Sequence, residues 1–252
     1  MRPSILFLDI ETAPDVVWVW GVYQQNAISV KENWYVLSYA AKWADSDAWV
    51  RGLDDFKGYT KGDSTEFELL QEIWRLLDQA DIVVAHNGAD FDVKKLNARF
   101  IEQGFAPPSP YKVVDTKRDL VRVAKYSSHR LDWLAKQFKF GKKISTDFSL
   151  WEGCMNGEPA AWRKMKEYNL HDVVLLEKLY LMIAPWIDQP NAGVYSEERI
   201  CTNPSCKSKK LERRGFAYAK TRVYQRYRCK ECGTWSRSVN SERGFSAKNT
   251  RL

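Results

Sequence analysis

The first apolar run of the chain, Ile5 to Glu11 (ILFLDIE), is hydrophobic on both alternating faces until two acids interrupt one of them. A strand apolar on both sides is buried on both sides, so this segment predicts a central strand with Asp9 and Glu11 near its C-terminal end. Residues 16–34 follow as a long aromatic-rich connection. Two more strands are predicted at Tyr35 to Trp43 and Asp47 to Leu53, and the short Ala44-Asp45-Ser46 between them makes that pair an antiparallel hairpin. The spacing then changes to a helical one: Phe67, Leu70, Ile73, Trp74 and Leu77 form a stripe, with Ser64 as N-cap. A short buried strand is predicted at Asp81 to Asn87. A helix from Phe91 follows, stopped by Gly104, with Pro107, Pro108 and Pro110 as loop. KVVDT gives another strand, and two short helices lie near Lys117 to Ala124 and Leu131 to Phe138. The last long helix runs from Pro159 to Ile183, with Pro185 beyond its end. Strands that come first in a run and then alternate with helices predict an α/β fold with a mixed five-stranded sheet flanked by helices.

The stretch DQPNAGVYSEE breaks this pattern and divides the chain into a domain over residues 1–188, a linker over 189–198, a small module over 199–240 and a mobile tail over 241–252. Charge follows the same division. From Ser196 onward the chain carries about +10 and before it about −3, which sum to the net +7. An acidic body joined to a basic module fits a metal-holding catalytic unit coupled to a polyanion-binding one. No apolar run approaches the roughly 18 residues of a membrane span, and the N-terminus lacks the features of a signal peptide. A cytoplasmic location is expected, with no membrane partner. In that compartment the 5 cysteines argue for metal rather than disulfides. Cys154 stands apart and reads as a small buried apolar residue.

The candidate chemistry begins with spacing. Tyr168 and Asp172 lie on one face of the last helix, Asp9 and Glu11 on one face of the first strand, and Asp92 opens the helix after HNGA. Taken singly, each has an ordinary explanation: a surface pair, a first-turn acid capped by Asp90, a core tyrosine. Together they are carboxylates converging from separate elements. Carboxylates repel unless a cation lies between them, so the set points to a two-metal nuclease using magnesium or manganese.

The motifs FLDIET, HNGADFD and YNLHD resemble the three exonuclease motifs of the DEDD superfamily, which has an RNase H-like fold. Residues 17–43 also look like small stand-alone exonucleases of bacteriophages and bacteria. The resemblance implies 3′–5′ exonuclease activity, with Asp9, Glu11, Asp92 and Asp172 as the acids holding two Mg2+ or Mn2+ ions. It also implies the tyrosine subclass, because Tyr168 and Asp172 supply its Tyr-x-x-x-Asp, and Glu167 stands where the histidine subclass has histidine. Asp9 is expected to bridge the ions, with Glu11 and Asp172 holding one and Asp92 supporting the other. Tyr168, whose ordinary pKa is near 10, is expected to orient the attacking water rather than to act as base. Asn87 and Phe91 match further positions of the second motif. Trp18, Trp20 and Tyr23 follow the first motif, where core packing is the favoured role and base stacking the rival. His86 reads as a packed strand residue, and Lys142 and Lys143 as phosphate contacts or solvated charges.

Cys201-x4-Cys206 and Cys229-x2-Cys232 have the spacing of two zinc knuckles, and the segment between them alternates as a hairpin would. Four thiolates close a tetrahedral, structural site for one Zn2+. A module this small needs such a staple. RYRCKECGTW resembles the zinc ribbons of transposases and other DNA-associated proteins. Arg213, Arg214, Lys220, Arg222, Arg226 and Arg228 alternate with aromatics, which suits single-stranded nucleic acid or a junction. The expected function is a metal-dependent 3′–5′ exonuclease, preferring single-stranded DNA, with a nucleic-acid-binding ribbon. An exoribonuclease and a binding adaptor with an inert core remain the alternatives.

Overall fold

The computed structural model describes residues 3–23, 26–59, 66–141 and 144–242. The chain divides into two compact units, Ser4–Leu179 and Met1–Pro3 with Tyr180–Leu252. This division falls inside the last long helix, ahead of the linker that composition suggests.

The first unit is built on a mixed five-stranded sheet. Its strands are β1 (Ile5–Thr12), β4 (Val36–Trp43), β5 (Trp49–Gly52), β6 (Ile82–Ala85) and β7 (Lys112–Asp115), in the order β5-β4-β1-β6-β7. β1 pairs antiparallel with β4 and parallel with β6, which pairs parallel with β7. The doubly apolar sequence of β1 therefore occupies the middle of the sheet, where both faces are covered. Because β1, β6 and β7 run parallel, their C-terminal ends meet at one edge, the usual place for a binding site in such sheets. Asp9 and Glu11, the His86-Asn87 turn and Asp115 all arrive there.

Helices α1 (Phe67–Gln79), α2 (Asp92–Glu102), α3 (Thr116–Val123), α4 (Leu131–Gln137), α5 (Phe148–Met155) and α6 (Pro159–Ile183) complete the unit, with α6 continuing into the second. α1 buries Leu70, Ile73 and Leu77 of the expected stripe together with Leu69; Phe67 is exposed and stacks on Phe105. Gly104 follows α2 with φ +74, the left-handed conformation that ends a helix at no steric cost. Ser64, Lys142, Lys143 and the tail beyond residue 242 lie outside the described residues.

Two features depart from the expected order. α5 forms where no helix is predicted. The connection after β1 contains an antiparallel ribbon of β2 (Val16–Trp18) and β3 (Ser29–Glu32). Core packing of Trp18, Trp20 and Tyr23 is overturned: all three are exposed, Trp20 by 88%. A ribbon of two strands, one only three residues long, has no second layer to cover it.

The second unit contains a three-stranded antiparallel sheet, β8 (Leu211–Tyr218), β9 (Val223–Cys229) and β10 (Trp235–Arg237), in the order β10-β9-β8. The expected hairpin is β8–β9, and β10 adds a third strand. A 3-10 turn at Ala192–Tyr195, capped by the Asn191 side chain on Gly193 N at 2.8 Å, lies inside the expected linker. No helix among the described residues is long and apolar enough to cross a membrane.

Candidate active site

Alternation along β1 sends Leu6, Leu8 and Ile10 into the core and turns Asp9 and Glu11 to the other face. α6 crosses that face. Tyr168 and Asp172 are one turn apart on it, with Asn169 on the same side. Carboxylate oxygens of Asp9, Glu11 and Asp172 thereby come within 4.8 Å of one another. They line a cleft of about 300 Å³ with Asp92, Tyr168, Asn87 and Phe91; Lys117 and Arg130 add positive charge to its wall. An octahedral magnesium site at about 2.1 Å needs donor oxygens about 3–4.2 Å apart, so the three acids fit a small hard cation. Their all-oxygen chemistry suits magnesium or manganese.

Asp92 lines the same cleft but stands outside this cluster. It is buried, and its Oδ1 accepts a hydrogen bond from Ile10 N at 3.1 Å. Burial pushes its pKa up to about 7, the Asp115 charge adds to this, and hydrogen bonds from backbone amides oppose it. Tyr168 is buried, hydrogen-bonds Asp172, and meets Trp151 edge-on at 6.0 Å between ring centroids. Burial, then the charges of Asp172, Glu11 and Asp9, hold its phenol far above the usual range. A phenol so placed stays protonated at neutral pH and acts as a hydrogen-bond donor. Glu167 is exposed.

Sequence reasoning missed the groups that hold these acids in place. Asn169 is fully buried; its Nδ2 donates to Asp9 Oδ2 at 2.6 Å and to the Asp9 carbonyl at 3.3 Å. Its Oδ1 accepts from Ser38 Oγ at 3.0 Å, and Ser38 sits opposite Glu11 in the β1–β4 register. Asp115 is fully buried and accepts from the backbone amides of Asn87, Ala89, Lys117 and Arg118, tying the HNGA turn to the start of α3. Asn87 adopts φ 71 within that turn, and its Oδ1 accepts from Lys117 Nζ at 3.0 Å. A Cβ at Gly88 would meet the Ala85 Cβ at 2.2 Å, so only glycine lets the turn lie against β6. The signal for Asp115 was present: an acid at a strand end that is also a helix N-cap. Asn169 looked like an ordinary polar helix residue. His86 packs as expected, its Nδ1 2.9 Å from Thr116 Oγ1 and its Nε2 2.8 Å from the His129 carbonyl. Cys154 is fully buried in α5.

In the second unit, sulfurs of Cys201, Cys206, Cys229 and Cys232 lie within 4.8 Å of one another. Cys201 Sγ is 3.5 Å from Cys232 Sγ, and Cys206 Sγ is 3.7 Å from Cys229 Sγ. A tetrahedral zinc with Zn–S near 2.3 Å needs sulfur–sulfur edges of about 3.8 Å, so the cluster fits one ion. All six predicted basic residues of this module are exposed. Strand alternation places Arg226 and Arg228 on one face of β9 with Tyr224; the pairing of β10 adds Trp235 and Arg237. Arg226 lies 4.9 Å from the Trp235 ring and Arg237 4.3 Å from the Tyr224 ring. Arg213 pairs opposite Tyr227 on the other face, and Tyr227 is buried. Arg237 was missed because β10 is too short to read.

The chain matches the family model described as RNase_H superfamily over residues 6–184. No curated protein matches it. Among solved structures it is similar to the family B DNA polymerase from the hyperthermophilic archaeon Pyrobaculum calidifontis, at 16% identity and a TM-score of 0.56. That alignment covers 73% of this chain and 25% of the polymerase chain, so the likeness is one of fold over a quarter of the larger protein. An RNase H-like fold supports a nuclease, which takes nucleic acid as substrate and divalent metal as cofactor. The matched region runs from β1 to the end of α6 and takes in the whole five-stranded sheet, and the chain therefore belongs to the RNase H superfamily.

Proposed function

We propose that the protein is a divalent-metal-dependent 3′–5′ exonuclease of the tyrosine type, acting on DNA with a preference for single strands. The observation that carries this reading is the convergence of Asp9, Glu11 and Asp172 in a cleft also lined by Tyr168 and Asp92. These acids would hold two magnesium or manganese ions, with Asp92 serving the second. The bound ions supply the positive charge that makes a water nucleophilic and steadies the leaving oxygen.

The chain's own groups supply orientation. Asn169 donates to one oxygen of Asp9 and so orients the carboxylate within the acid cluster. Tyr168, a neutral phenol hydrogen-bonded to Asp172, would orient the attacking water rather than serve as base. Lys117 and Arg130 meet the phosphate of the strand. In the second unit, zinc held by the four cysteines would fix the ribbon. Its arginine–aromatic face, Arg226, Arg228 and Arg237 with Tyr224 and Trp235, would then hold single-stranded nucleic acid.

The test uses 5′-labelled single-stranded DNA and RNA with magnesium or manganese. A descending ladder of DNA products, lost in Asp172→Asn, is the expected result. A ladder from RNA alone would make the enzyme an exoribonuclease, a single internal cut an endonuclease, and no turnover an adaptor.

A further inference from the structure

The β2–β3 ribbon leaves in solvent a surface whose composition belongs in a core. Residues 16–30 carry no charge in a chain that is 28% charged, and Trp18, Trp20 and Tyr23 are among them. Every residue of both strands is exposed. Beyond β2, Trp20, Val22 and Tyr23 are 88%, 89% and 84% exposed, and Ile28 and Val30 extend the same apolar surface. Folded monomers rarely leave contiguous apolar patches of more than a few hundred Å².

The backbone points the same way. The base of the ribbon is tied down, with Asp15 Oδ1 accepting from Trp34 N and Ala13 N donating to the Tyr35 carbonyl, each at 2.9 Å. Above that base the two strands have only each other, as in the pair of Val17 with Val30. Among the described residues each strand therefore keeps an outer edge with no strand beside it. Such edges are templates for further pairing, and a lone two-stranded ribbon is marginal in water.

Charge selects the occupant. A polyanion needs cations, and the ribbon offers none between Asp15 and Lys31. Lys31 and Glu32 at its base pair with each other at 3.4 Å, so the rim is neutral as well. A two-fold interface sets one patch against its own copy, and this patch brings no like charges together when it does so. Size agrees. An aromatic side chain buries about 150–250 Å². Three of them with Val22, Ile28 and Val30 approach the roughly 800 Å² that each partner of a stable complex contributes.

We propose that the β2–β3 ribbon is a homodimer interface, in which two copies of this chain join ribbon to ribbon about a two-fold axis. The contact buries Trp18, Trp20 and Tyr23 and pairs outer strand edges. The inference is independent of the nuclease reading.

The test is sedimentation velocity of the full chain without nucleic acid, beside a far-UV circular dichroism spectrum of each variant. Interfaces of this size hold from micromolar to picomolar, so over a series reaching about 100 μM wild type runs as a discrete dimer that dissociates only on dilution. Trp20→Ala raises the dimer Kd by about 30-fold or more. Val22→Glu sets two like charges in the contact and gives a monomer throughout, with the wild-type spectrum. Salt at about 1 M leaves the wild-type dimer intact, because no ion pair holds it. A wild type that stays monomeric, one that forms open-ended aggregates, or a dimer equally tight in both variants overturns the proposal. Monomeric protein whose indole fluorescence is quenched by an oligothymidylate, with the quenching lost in Trp20→Ala, overturns it in favour of nucleic acid.

Discussion

Twice the chain gathers atoms that could bind a metal, by different means. Asp9, Glu11 and Asp172 come from a strand and a helix packed on a large buried hydrophobic core. The four sulfurs of the C-terminal unit lie among short strands, where Tyr227 is one of few buried large side chains. In the first case packing holds the ligands together against their own repulsion. In the second a bound metal would supply what so small a core lacks. Both sites bring several ligand atoms within a few ångströms of one another; at the acids a large core holds them there, and at the sulfurs a bound cation would add the support that a small core lacks.

The largest effect would break this contrast at the sulfur end. With the four cysteines holding zinc as proposed, Cys229→Ser should release the ion and unfold the ribbon, since a structural zinc contributes about 10–16 kcal/mol to the folding of such modules. Amide NMR signals of residues 199–240 would collapse while those of Ser4–Leu179 keep their positions. A ribbon with dispersed signals and no bound zinc would remove the distinction.

A smaller effect probes how packing orients the acids. Asn169→Ala removes the hydrogen bond to Asp9 Oδ2, and about a 10- to 100-fold loss in metal affinity or turnover is expected. A magnesium titration of activity, run beside a thermal melt, separates orientation from folding. An unshifted magnesium midpoint would show that Asp9 is held by other means.

The smallest effect measures the strain of pre-assembly. Asp92 has its pKa raised from 3.8 to about 7 by burial, so the folded chain binds this proton more tightly than the unfolded chain does. Its contribution to stability therefore falls as pH rises between those values. In magnesium-free buffer Asp92→Asn should melt at a higher temperature than wild type at pH 8, with the gain shrinking towards pH 4. Equal melting temperatures at pH 8 would mean the buried charge is already compensated.

Much of this was legible before any coordinates. β1, β4, β6 and α6 announce themselves because buried strands and long helices repeat their apolar pattern over many residues, and the acids stand where those patterns break. Two things were hidden. The strand Val16–Trp18 is as apolar as a core strand yet lies in solvent, and composition cannot report which surfaces are covered. α5 (FSLWEGCM) is too short and too uniformly apolar to show a stripe. Asn169 and Ser38 were invisible for another reason: their partners are far off in sequence, and nothing local marks a side chain that serves a distant carboxylate.

Gly88 carries this logic to its limit. It has no side chain, yet a single methyl there would strike the Ala85 Cβ at 2.2 Å, and the turn that leads to Asp92 would have to shift. In a saturation screen scored on cleavage, position 88 would look as intolerant as the acids themselves. A missing carbon can be as indispensable to hydrolysis as any reactive group.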